Sequence, residues 1–93
     1  MNKYEFFGFV IPEYMRDGIA MYIKYGVDPG SFLTAVICND LKNAVGQADE
    51  INLKNIPAYV NYFYNHAPID CWGSKAAMNG WIGKKLQERK GGD

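Results

Sequence analysis

Two turns in this sequence set a glycine and a hydroxyl immediately before a helix-forming stretch: Pro29-Gly30-Ser31 and Trp72-Gly73-Ser74. At such a start the first backbone N–H groups have no intrahelical partner, and the helix dipole favours an anion. Plain helix capping uses the same residues. The second turn adds Lys75 after the serine and the Trp72 ring before it, with Tyr64 and Asn65 a few residues upstream. Charge, donors and a flat ring are the groups that hold a phosphate and a base. Ser31, Tyr64, Asn65, Trp72, Ser74 and Lys75 are therefore the candidate ligand-binding residues.

A second polar set is Asn39, Asp40, Asp49 and Asn52. Asp49 and Asn52 are three apart and share a face if helical. Buried polar groups need partners, so these four are expected to bond one another between two helices, with lining a pocket as the alternative. Asp40 is expected to be largely buried.

Other chemistry finds little support. His66 is the only histidine, and no CxxC accompanies Cys38 and Cys71, so no zinc-ligand pattern is present. The Walker loop, GxGxxG and GxSxG are all missing. Neither a catalytic set nor a cofactor motif can be assembled. The two cysteines are expected to be reduced thiols of a cytosolic protein.

The elements that position these residues follow from periodicity and breakers. Apolar residues at 3–4 spacing predict four helices, near 12–25, 31–46, 49–66 and 74–87. Met15, Ile19, Tyr22 and Ile23 mark the first, which Gly26 should end. Pro57 either kinks the third helix or, with Asn55 as cap, opens a shorter one; the kink is the preferred reading. Residues 1–11 read as an apolar extended arm or short strand, and residues 88–93 as a flexible tail. The expected fold is all-α, a compact four-helix domain with an apolar extended N-terminal arm.

The chain has 93 residues, enough for one domain, and no apolar run nears a membrane span. A chain this short buries only about 60–65% of the surface its unfolded form exposes, so self-association would help it. Formal charge is zero, which argues against duplex nucleic acid as a partner. The charge is unevenly placed: residues 75–93 carry net +3 and the remainder net −3. A basic tail on an acidic body suits a homo-oligomer.

The stretches Pro29-Gly30-Ser31-Phe32-Leu33-Thr34-Ala35-Val36, Asn39-Asp40-Leu41, Ala48-Asp49-Glu50-Ile51-Asn52 and Ala67-Pro68-Ile69-Asp70-Cys71-Trp72-Gly73-Ser74 resemble a family of small proteins encoded by bacteriophages and prophages. The likeness spans about residues 12–82; Pro57 and the glycines of the fourth helix depart from it. The resemblance carries no known activity. It implies a setting, the host cytoplasm, where short non-catalytic phage proteins act as accessory factors against host defences. Three functions fit that setting: sequestering a small anionic nucleotide-type signal in an oligomeric site, inhibiting a host or defence protein by binding it, or serving in the virion or its assembly.

Overall fold

A computed structural model describes residues 1–91. The element order is a hairpin of β1 (Glu5–Phe6) and β2 (Phe9–Val10), then α1 (Glu13–Tyr25), α2 (Ser31–Ile37), α3 (Leu41–Gln47), α4 (Glu50–Lys54), α5 (Ile56–His66), a 3-10 turn (Ile69–Cys71) and α6 (Lys75–Gly91). The protein is mostly helical, but it is neither strictly all-α nor a four-helix domain.

The N-terminal arm folds back on itself. Glu5 pairs with Val10 and Phe6 with Phe9, antiparallel, around a turn at Phe7 and Gly8 where both residues take positive φ. The hairpin is moored to α5: the Val10 N–H donates to Asn55 Oδ1 at 2.8 Å, and the Tyr4 hydroxyl donates to Asn61. Pro12 then precedes α1, which ends where the sequence predicts. The left-handed Gly26 (φ 71°) donates its N–H to the Tyr22 carbonyl at 2.8 Å.

The single helix expected over 31–46 is two helices. Asn39 adopts φ 60°, a left-handed conformation that asparagine tolerates better than most residues, and the chain reverses there. Asp40 then caps α3, accepting from the Asn43 N–H at 3.2 Å. The 3–4 apolar spacing runs on through the break, but of α3 only Ala44 is buried, and Leu41 and Val45 are exposed.

The helix expected over 49–66 is also divided, and the kinked reading is corrected. Asn55 is the junction and Pro57 lies in the first turn of α5, where its missing N–H costs nothing. Asp49 caps α4 by accepting from the Asn52 N–H at 2.7 Å. The last helix is longer than expected: residues 88–91 of the anticipated flexible tail are helical, and residues 92–93 lie outside the described residues.

Ile11, Ile19, Tyr22, Leu33, Ile37, Tyr59, Phe63, Cys71 and Trp81 form the centre of the core. Each large apolar side chain buried there contributes about 1.5–3 kcal/mol. Its polar atoms are matched. The Tyr22 hydroxyl donates to the Cys71 carbonyl at 2.6 Å, and the Trp81 indole N–H is shared between the Tyr22 and Ile23 carbonyls at 3.2 Å each. These bonds fix the Cys71–Trp72 loop and α6 against α1.

Candidate functional site

An open cleft of about 600 Å³ lies between α2, α3 and the start of α6. The inner face of α2 is buried through Phe32, Leu33, Val36 and Ile37. Its other face turns Ser31, Thr34 and Cys38 toward the cleft, at the 3–4 spacing of one helical stripe. Asn43 and Gln47, one turn apart on α3, form the facing wall, with Asp40 at the reversal between the helices. Asp28 closes the end nearest α1; its carboxylate is fixed by the Gly30 N–H at 2.9 Å.

Lys75 completes the cleft from 44 positions beyond Ser31. Two contacts bring it there. The Gly73 N–H donates to the Ile37 carbonyl at 2.7 Å, which ties the loop before α6 to the end of α2. One turn into α6, Met78 Sδ sits 3.6 Å from Cys38 Sγ. Gly73 has φ 107°, so the link depends on a residue without a side chain.

The cleft carries both signs of charge. The Asp40 carboxyl is held below its usual range by the Asn43 side-chain amide at 2.6 Å and the Asn43 backbone N–H, with Lys42 adding to the effect. Burial pushes the Cys38 thiol up; Lys75 opposes that shift and Asp40 reinforces it. At neutral pH Cys38 is a thiol, a weak donor rather than an activated nucleophile. Cys71 is fully buried and pushed up to about 11, chiefly by burial. Neither cysteine is in a disulfide. His66 lies at the end of α5 against the Tyr4 and Tyr62 rings and does not line the cleft.

Of the six residues expected to bind ligand, the structure brings Ser31 and Lys75 together and leaves four outside the lining. Ser74 caps α6, accepting from the Ala77 N–H at 3.0 Å. Trp72 is half-buried and packs on Phe63, ring centroids 5.9 Å apart. Tyr64 is 76% exposed on α5, and Asn65 donates to the Asn61 carbonyl at 3.1 Å.

The polar set Asn39, Asp40, Asp49 and Asn52 does not form one network. Asp40 is half-buried at a helix cap instead of sitting deep on an inward stripe, and Asn39 is exposed. Asp49 takes the Tyr14 hydroxyl at 2.6 Å besides its cap bond. Asn52 is the member that is buried, and its Oδ1 accepts from Tyr59 at 2.5 Å. Asp28, Thr34, Asn43 and Gln47 were not singled out from sequence. The Ser31, Thr34, Cys38 spacing was a usable signal, because it marks a polar stripe opposite the apolar one.

A second surface is apolar. Leu41 and Val60 flank a shallow groove floored by Val36, Ala44 and Ile56, and the exposed Tyr64 follows Val60 by one turn of α5. Among the described residues no helix is long and apolar enough to cross a membrane, and no three His, Cys, Asp or Glu side chains converge to hold a metal ion. No protein-family model matches the chain, and neither the curated proteins nor the solved structures contain a significant match.

Proposed function

We propose that this chain is a non-catalytic binding protein that sequesters a small nucleotide-type ligand in the α2–α3–α6 cleft. The observation that carries this reading is that Ser31 and Lys75, from distant parts of the chain, line one cleft of about 600 Å³. That volume lies within the range of about 300–1,000 Å³ common for small-molecule sites. The Lys75 ammonium and the Ser31 and Thr34 hydroxyls suit a phosphate. The Asp28 and Asp40 carboxylates accept hydrogen bonds, so they suit ribose hydroxyls or a base amine. Two carboxylates beside one lysine disfavour a polyanion and favour a ligand with one anionic end. Among the described residues no aromatic ring lines the cleft, so the base would be held by its edges. The phage setting, action in the host cytoplasm against a defence signal, rests on the sequence resemblance, and a homo-oligomer fits the small core and divided charge.

A thermal-shift panel of linear and cyclic nucleotides, followed by calorimetry, tests the proposal. A binding nucleotide should raise Tm, and Lys75→Ala should weaken its affinity by about tenfold at low salt, less as salt screens the charge. A flat panel would sink the proposal. It would favour the second reading, an inhibitor that docks on a host protein through the exposed Leu41, Val60 and Tyr64. Capture of a host protein that Tyr64→Ser abolishes would then be the expected result.

A further inference from the structure

The two ends of the molecule carry opposite charge and stand too far apart to satisfy each other. Helices α1 and α6 advance in the same sense: Trp81 meets the Tyr22 and Ile23 carbonyls, while Ile82 and Lys85 lie against Gly26, just past the end of α1. The following turns of α6 therefore extend beyond α1, and residues 86–91 are all exposed. Residues 84–90 hold Lys84, Lys85, Arg89 and Lys90 against Glu88, a net +3. Glu88 is occupied by Lys85 at 3.2 Å.

The opposite end is where α1 begins. Tyr14 joins it to the start of α4 through Asp49 at 2.6 Å, and Glu13, Asp17, Asp49 and Glu50 are exposed carboxylates there. Arg16 and Lys54 only partly offset them: the first is turned to the Ile11 carbonyl, and the second pairs with Glu50 at 3.5 Å. Helix α1 has 13 residues, hence a length of about 20 Å, within a molecule 42 Å long. The ends are thus separated by about two Debye lengths at 0.1 M salt, so each is screened from the other within one chain.

We infer that the basic end of α6 docks on the acidic α1–α4 end of a second copy, head to tail. Charge complementarity selects the occupant, and the exposed Leu86 and Tyr14 give each surface an apolar element. Such a contact uses different patches on the two copies, so it builds a ring if the rotation closes and an open chain if it does not. The inference rests on the homo-oligomer in the proposed function and is independent of the ligand.

Sedimentation velocity on the full chain, at about 0.05 M and 0.5 M salt, tests it with two charge-reversed variants. One is Arg89→Glu/Lys90→Glu and the other is Glu13→Lys/Asp17→Lys; circular dichroism checks that each retains its helices. Wild type should associate at low salt and weaken by about tenfold or more at high salt. Each variant alone should be monomeric, because both of its ends carry one sign. An equimolar mixture of the two should associate again, because every contact in it pairs opposite charges. A monomeric wild type at low salt overturns both the interface and the homo-oligomer. An oligomer indifferent to salt and to both reversals overturns this interface alone. Reversal of Arg89 and Lys90 that abolishes only adsorption to RNA or anionic vesicles, leaving self-association intact, overturns the second copy as occupant.

Discussion

Replacing Gly73 and Gly80 by alanine should shift stability in opposite directions, although the two residues are seven positions apart and gain the same methyl group. An added Cβ meets nothing within 4 Å at either site, so packing contributes to neither change. Backbone conformation decides the sign. Gly73 has φ 107°, a region that residues with a Cβ rarely adopt, and Gly80 is helical without positive φ. Holding alanine in the Gly73 conformation costs about 1–3 kcal/mol. If the backbone relaxes instead, it puts at risk the 2.7 Å bond from the Gly73 N–H to the Ile37 carbonyl. At Gly80, alanine should stabilise by about 0.5–1 kcal/mol, since glycine loses more conformational freedom in a helix. Urea unfolding, with the slope checked for constancy, measures both changes. Gly73→Ala should also weaken any ligand of the cleft, because that bond places Lys75 beside α2; Gly80→Ala should leave binding unchanged. A neutral Gly73→Ala, or a destabilising Gly80→Ala, would refute the assignment of these changes to backbone strain and helix propensity.

Other outcomes follow from the buried polar groups and the thiols. Tyr59→Phe should cost about 1–3 kcal/mol, because it strands the Oδ1 of Asn52, a residue only 4% exposed. Thermal unfolding would register each lost kcal/mol as about 4–8 °C in Tm, and a loss below about 0.5 kcal/mol would show that Asn52 finds another partner. Towards a maleimide at pH 8, native Cys38 should react well before Cys71. The first borders an open cleft; the second is fully buried and pushed up to about 11. Mass spectrometry of the labelled peptides reads the order, and equal rates would contradict the burial of Cys71.

The sequence by itself determined part of the interior and where several helices begin and end; Leu41, Leu53 and Val60 lie on the same predicted stripes yet are 69%, 46% and 44% exposed. Tyr22, Leu33, Ile37, Tyr59 and Phe63 are legible as apolar stripes because side-chain spacing on a helix is a local property. Gly26 and Ser74 are legible because capping needs only neighbouring residues; the cap role of Asp40 is not, because it depends on the break at Asn39. The breaks at Asn39 and Asn55 were hidden, since the 3–4 apolar spacing runs on across both although Leu41 and Leu53 beside them are exposed. Asn39 takes its left-handed turn as α2 and α3 fold back on each other, and Asn55 is held by the hairpin through Val10.

The cleft was legible only in parts. Ser31 and Lys75 could be chosen from residue chemistry beside a helix start, but their meeting depends on contacts between distant segments: Gly73 with Ile37, and Met78 with Cys38. Trp72 drew attention as a flat ring next to a serine and a lysine, and its rotation onto Phe63 was decided by the core it helps to fill. Local chemistry sets what each side chain is able to do, whereas which side chains share a cleft depends on loop closure over tens of residues. Only the packed chain settles that closure, because its energy comes from burial that no single segment can supply.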